Sequence, residues 1–232
     1  MSLTPEQARK TYDRIGGLQD RQGFYEDPAT AVLLAYGAFD GAGAVVEIGS
    51  GTGRLAARLL TDHLPPTATY LGIDVSPVMV RLASDRLRQF GDRARVKLVE
   101  GGAHLPVANG RADRVVATYV FDLLEPEHGV ALLEDAHRVL RHDGLLTVAG
   151  LTDGVTPPTR FVSRGWRAVW RRWPSLVGGC RPVDVAAWLA PGRWEIAHRE
   201  AVCAWGICSD VVVASPSGKA RTRKSSRKER DT

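Results

Sequence analysis

Cysteine is scarce, three in 232 residues at positions 180, 203 and 208. None forms a CxxC pair, and three scattered thiols make no disulfide framework, which excludes a small stapled fold. The six histidines show no HxxxH or HExxH spacing, and no metal site is expected. No apolar run approaches the roughly 18 residues needed to cross a bilayer. The opening MSLTPEQARKTYDRIGG is polar and helix-like, unlike a secretory signal, so a cytoplasmic location is the default expectation. Lysine is rare as well, five against 26 arginines, and three of the five fall after residue 215.

What is present suits one substantial α/β domain: 232 residues, 44% hydrophobic and 25% charged. The net charge of +5 does not belong to that domain. Seven basic and two acidic side chains in SPSGKARTRKSSRKERDT, from Ser215 onward, carry all of it. This tail has no hydrophobic residue larger than alanine and is expected to be disordered. It reads as a solvated segment or as a loose attraction to nucleic acid or an anionic membrane surface.

Residues 5–20 have a helical pattern behind Thr4-Pro5, and a second helix is expected from Pro28 to Phe39. Strands are expected at 44–48, 68–73, 95–99, 113–119 and 144–150, with helices at 53–62, 77–90 and 127–140 between them. Short Val- and Ile-rich runs spaced by amphipathic helices predict a doubly wound, mostly parallel sheet of the Rossmann-like class. A helix near 182–190 precedes two last strands, 193–202 and 205–214. The join Cys203-Ala204-Trp205-Gly206 is short enough for a hairpin, so these two pair antiparallel at the sheet's edge, giving seven strands in all.

The most informative stretch is VVEIGSGTGRLA, residues 45–56. In a parallel sheet the ligand sits at the carboxyl ends of the strands, where glycines let the backbone approach it. The helix opening behind Gly53 points free N–H groups at the same place. Gly49, Gly51 and Gly53 have G-x-G-x-G spacing, with Arg54 where a dinucleotide fingerprint wants its last glycine, and no P-loop lysine follows. Glu47 is ill placed for a diphosphate and suits a positively charged ligand.

VVEIGSGTGRLA resembles the first motif of the class I S-adenosylmethionine-dependent methyltransferases. YLGIDVSPVMVRLA (70–83) is similar to the family's second strand and following helix, and GLLTV (144–148) to its fifth-strand region. The quinone-biosynthesis and phospholipid N-methyltransferase group is the nearest in overall pattern. The resemblance implies S-adenosylmethionine as cofactor. Gly49, Ser50, Gly51 and Gly53 would line its methionine part, with Glu47 near the amino end. Asp74, 21 residues after Gly53, would meet the ribose hydroxyls, although it also suits a turn before a helix capped by Ser76. Val75 and Met79 would offer apolar surface to the adenine. Where the family often has Gly-Asp-Ala, this chain reads EGGAHLP, so the adenine amino group falls to backbone at Gly102-Ala103 or to His104, which equally reads as a solvent-facing loop residue. Thr118 would close the cofactor side.

The acceptor is less specified. ATYVFDLLEPE lacks the Asn/Asp-Pro-Pro-aromatic motif of DNA-base and glutamine methyltransferases, and Tyr119 and Phe121 suggest an apolar mouth or ordinary strand-end packing. Tyr12 resembles a lid tyrosine of the quinone group. In the insert at about 152–180, Trp166, Val169, Trp170 and Trp173 fall at i, i+3, i+4 and i+7. With Arg160, Arg164, Arg167, Arg171 and Arg172 beside them, they form either a wall over the substrate or a helix lying on an anionic membrane. Both readings favour an apolar or amphiphilic acceptor, lipid-, quinone- or polyketide-like. No catalytic base is assigned. The competing readings are a nicotinamide-dependent oxidoreductase, disfavoured by Arg54, and a methyltransferase-like domain that binds cofactor or nucleic acid without chemistry.

Overall fold

The computed structural model describes residues 23–218. The expected helix at 5–20, Tyr12 and nearly all of the basic tail lie outside the described residues. Helix α1 spans Gly23–Tyr36. The alternating series follows: β1 (Ala44–Ile48), α2 (Arg54–Arg58), β2 (Thr69–Asp74), α3 (Pro77–Leu87), β3 (Ala94–Leu98), β4 (Ala112–Thr118), α4 (Pro126–Val139) and β5 (Leu140–Thr152). Helix α5 (Pro157–Arg172) and strands β6 (Trp194–Ala204) and β7 (Ile207–Pro216) complete it.

The seven strands form one sheet in the order β3-β2-β1-β4-β5-β7-β6. Neighbours from β3 to β5 are parallel, whereas β7 runs antiparallel to both β5 and β6. The hairpin therefore folds back between β5 and the edge, and β7 is the one reversed strand. Alternate side chains on each strand enter opposite cores. Val46, Val115, Val148 and Val212 pack with α4, whereas Val45, Val116, Ala149 and Val211 pack with α1 and α2. Helices on both faces leave the carboxyl ends of β1, β2, β4 and β5 as the open edge where a ligand can enter.

Several elements depart from the sequence expectation. Helix α1 begins at Gly23 rather than Pro28 and carries Pro28 inside it. The lost backbone bond is outweighed by burial of Tyr25 and of Leu33, Leu34 and Ala29 further along. The helix expected at 182–190 is only a single turn, Ala186–Trp188. Val183 and Val185, two residues apart, are both buried, and the Val183 N–H donates to Leu151 O at 2.8 Å. That extended course over the core leaves no room for a helix. Cys203 and Cys208 form a disulfide across the hairpin, with Cα atoms 4.0 Å apart. Three scattered cysteines gave no disulfide framework to expect, but the two-residue turn Trp205-Gly206 sets Cys203 opposite Cys208 in the ladder.

Candidate cofactor and acceptor site

The turn after β1 is tied to its neighbour strand before it reaches the ligand edge. The Gly49 and Ser50 N–H groups both donate to Ile73 O, at 2.8 and 3.1 Å. Gly49 has φ 68°, and a Cβ there would stand 2.5 Å from Val120 Cγ2. Gly53 has φ 75°, with a built Cβ 3.0 Å from Ala83 Cα on α3. Left-handed backbone and close approach thus demand glycine at both positions. Asp74 locks the turn to the next one. Its Oδ2 accepts from the Gly51 N–H and its Oδ1 from the Ser76 N–H, both at 2.9 Å. Ser76 in turn caps α3, its Oγ accepting from the Met79 N–H at 3.2 Å. The turn reading of Asp74, before a helix capped by Ser76, is therefore what these bonds show.

Glu47, Gly49, Ser50, Gly51, Thr118 and Tyr119 line one cavity of about 190 Å³, joined by Glu26 and Thr30 from α1 and by Arg54 from α2. Arg54 pairs with Asp27 at 2.6 Å and approaches Glu26 at 3.8 Å. Glu47 is only 1% exposed and accepts from the Tyr70 hydroxyl at 2.6 Å; burial pushes its carboxyl up to about 8 against that bond. Beside it, Ser50 Oγ is buried and lacks a hydrogen-bond partner among the described residues. A larger hollow of about 680 Å³ lies at the opposite, amino-terminal end of the sheet. Its Arg138, Arg141 and Arg193 each face a carboxylate, of Asp135, Asp113 and Glu134.

Beyond Thr118 the wall becomes aromatic. Tyr25, Tyr119 and Leu151 form a buried cluster with Trp166, Cys180 and Ile207 packed on it. The Tyr25 and Tyr119 rings meet edge to face, centroids 5.8 Å apart. Tyr119 is held at φ 55° and shares a 2.9 Å hydrogen bond with Ser209 Oγ. Trp166 donates from Nε1 to Cys180 O at 2.9 Å. Burial raises both tyrosine hydroxyls above their ordinary range, so they stay protonated. Burial also raises the Glu26 carboxyl to about 7, with Arg54 pulling it down. Asp122, fully buried, is raised to about 7 by burial and steadied by the Leu151 N–H at 3.0 Å.

Several expected positions fall elsewhere. Phe121 is 1% exposed and stacks edge to face on Trp188 in the core, so it forms no acceptor mouth. Met79 has no exposed surface to offer an adenine. Trp170 donates to Gly179 O and carries Arg181 over its ring, which fixes it to the 178–181 loop. Val75 is half-buried at the end of β2, and Gly102 and Ala103 follow β3 in a loop at the same edge of the sheet, with Gly102 exposed at φ 101°. His104 is solvent-facing, 3.4 Å from Asp135. Sequence reasoning missed Tyr25, Glu26, Asp122 and Ser209. Only Tyr25-Glu26 carried a signal, a polar-aromatic pair one turn before Pro28.

The residues present fit S-adenosylmethionine on two counts. The turn at Gly49 and Gly53 is left-handed backbone packed too closely on Val120 and Ala83 for any other residue, which leaves its N–H groups along the cavity, and Ser50 Oγ is a buried polar atom that has no partner among the described residues. The acids Glu26, Asp27 and Glu47 suit a cation, and Arg54 suits a carboxylate.

Residues 45–144 match the methyltransferase-domain family model. The malonyl-[acyl-carrier protein] O-methyltransferase of Laribacter hongkongensis is 34% identical over 152 residues, 63% of this chain and 48% of that protein. An uncharacterised methyltransferase of Bacillus subtilis is 35% identical over 104 residues, 44% of this chain and 45% of that one. The chain thus matches about half the length of these curated relatives. Among solved structures, the [4+2]-cyclase SpnF superposes with a TM-score of 0.71 at 17% identity, covering 93% of this chain and 98% of its own. A geranyl diphosphate methyltransferase in complex with GPP and sinefungin gives 0.61 at 13%, covering 82% and 78%. Residues 45–144 thus match the methyltransferase-domain family, and the sheet order and glycine turn agree with the fold of the class I S-adenosylmethionine-dependent methyltransferases.

Proposed function

We propose that the chain transfers a methyl group from S-adenosylmethionine to an apolar or amphiphilic acceptor of the lipid, quinone or polyketide kind. The observation that carries this reading is the aromatic wall of Tyr25, Tyr119 and Trp166, set directly beyond the glycine cradle. The Laribacter hongkongensis relative bears the name of an acyl-carrier-protein methyltransferase and a structural neighbour that of a geranyl diphosphate methyltransferase, both consistent with such acceptors. A water-soluble amine or acid would leave this wall without a partner. The fold alone does not fix the chemistry, since the SpnF neighbour is titled a cyclase.

In this proposal Gly49, Ser50, Gly51, Gly53 and Asp74 hold the cofactor, with Glu47 below its amino end and Arg54 beside it. Val75 and the Gly102-Ala103 backbone face the adenine, and Thr118 closes the methionine side. When bound, S-adenosylmethionine supplies an activated methyl carbon for in-line displacement. The chain supplies position and dryness: Tyr25, Tyr119 and Trp166 exclude water and align the acceptor. Glu26 lines the cradle's cavity near Tyr119 and, with its carboxyl near 7, takes a proton from an acidic hydroxyl or carbon acceptor. In the same proposal residues 1–214 make the catalytic domain, with the N-terminal segment 5–39 as lid and the insert at about 152–180 as acceptor wall.

The test uses labelled S-adenosylmethionine, purified protein and a host extract, partitioned between organic and aqueous phases. Organic label is the expected result. Label confined to small aqueous products would overturn the apolar acceptor, and no label despite cofactor binding would favour a non-transferring domain.

A further inference from the structure

The sequence offered α5 to a membrane through its tryptophan face, and the fold turns Trp166 and Trp170 of that face inward and leaves Trp173 outside. Trp166 and Trp170 both spend their indole N–H on carbonyls of the 179–180 segment. Besides Trp173, apolar residues from other parts of this region are left outside. Among the described residues, eleven large hydrophobic side chains are exposed, and six of them belong to α5, its flanks and the tip of the β6–β7 hairpin: Val155, Phe161, Val162, Trp173, Leu176 and Trp205. Such concentration marks a contact surface rather than the scattered exposure of an ordinary exterior.

The hairpin tip is the most telling part. Trp205 and Gly206 are the two central residues of the turn, with φ 54° and 82°. Positive φ at both positions is the type I′ arrangement, which favours Asn, Asp or Gly at the first. A bulky indole there is strained, and the strain wins no packing, because Trp205 is 82% exposed. The disulfide Cys203–Cys208 brackets this tip. A Cβ on Gly206 would stand 3.3 Å from Val162 Cγ2, so the tip rests beside Val162 and its neighbour Phe161, itself 79% exposed.

The charge of the helix selects the partner. Helix α5 holds five arginines and no acid. Arg167 is paired with Asp153, whereas Arg160, Arg164, Arg171 and Arg172 are exposed. At 100° per residue Arg160, Arg164 and Arg171 form a column on one flank of Phe161, with Val162 and Val169 on the other. The outward line between Phe161 and Arg172 carries only Gly165 and Ala168, so the helix presents a low, flat ridge about 17 Å long. A flat ridge with an indole at one end and guanidinium groups along one side suits a lipid headgroup layer.

We propose that the Trp205 tip, Phe161 and Val162, together with the α5 arginines, form a docking surface for an anionic lipid bilayer. The surface rests on exposure and charge and is independent of the acceptor's identity, so methyl transfer can fail without it failing. The full chain is tested by co-sedimentation with vesicles of phosphatidylcholine, alone or mixed with phosphatidylglycerol, in low salt. The comparison is with the double variant Phe161→Ser/Trp205→Asn, in which asparagine suits the type I′ turn and so preserves the hairpin. The expected result is binding to the anionic vesicles only, falling at least about tenfold in the variant. Undiminished binding by the variant would overturn the proposal, because the basic tail is unchanged in it. Absence of binding to anionic vesicles, or capture instead by an acidic carrier protein assayed in parallel, would overturn it equally.

Discussion

The two halves of the ligand edge are built in opposite ways. The proposed cofactor half is local: Glu47 to Arg54 is eight consecutive residues, closed by Asp74 at the end of the adjacent strand. Its shape comes from backbone dihedrals and N–H groups that no other part of the chain needs to supply. The proposed acceptor half is assembled from distant pieces. Tyr25 comes from α1, Tyr119 from the end of β4, Leu151 from β5, Trp166 from α5 and Ser209 from β7. A cradle of the first kind keeps one cofactor while the second kind can be rebuilt for different acceptors.

The sharpest way to break this division is Gly49→Val. A β-branched side chain at φ 68°, with its Cβ 2.5 Å from Val120, removes the cradle. S-adenosylmethionine affinity is expected to fall by at least about 100-fold in calorimetry. Retained affinity would mean that the glycine turn is not the cofactor's seat. On the other side, Trp166→Ala should raise the acceptor KM about tenfold and leave cofactor Kd within about twofold. A matching loss of cofactor affinity would merge the two halves into one site.

A smaller effect separates the halves by their buried acids. Glu26 near 7, Asp122 near 7 and Glu47 near 8 keep protons in the folded chain that the unfolded chain has already released. Folding stability is therefore greatest at the acid end of the window from about pH 4.5 to 8 and declines as pH rises through it. Each group contributes up to about 1.4 kcal/mol per pH unit while it alone titrates. Glu47→Gln should flatten the upper part of that decline in denaturant titrations; an unchanged slope would show Glu47 ionised when buried. Smallest is the hairpin bridge. Reducing Cys203–Cys208, which closes a loop five residues apart, should lower stability by about 2 kcal/mol or less and leave cofactor Kd unchanged.

Legibility in the sequence followed the same division. The β1 turn, the Asp74 step and the five parallel strands were readable because glycine spacing, caps and Val/Ile runs are consecutive. The hairpin was readable too, since no helical segment separates its strands, but its register was not. That register depended on Trp205-Gly206 forming the turn, and with it went the disulfide. Phe121 was misplaced because an aromatic residue after a strand reads alike whether it faces a ligand or Trp188. Tyr25 and Glu26 were passed over because Pro28 is a strong local start signal, and only long-range packing carries α1 back to Gly23. The arginine-tryptophan helix was recognised from its period. Which face it buried depended on the 178–181 loop, which no local pattern encodes.

The central claim is that the Gly49–Gly53 turn seats S-adenosylmethionine. Calorimetry of the full chain with S-adenosylmethionine, and in parallel with a nicotinamide dinucleotide, tests it most directly. One saturable site for S-adenosylmethionine, weakened by Gly49→Val and absent for the dinucleotide, is the expected result. Tighter binding of the dinucleotide, or S-adenosylmethionine binding indifferent to Gly49→Val, would contradict it.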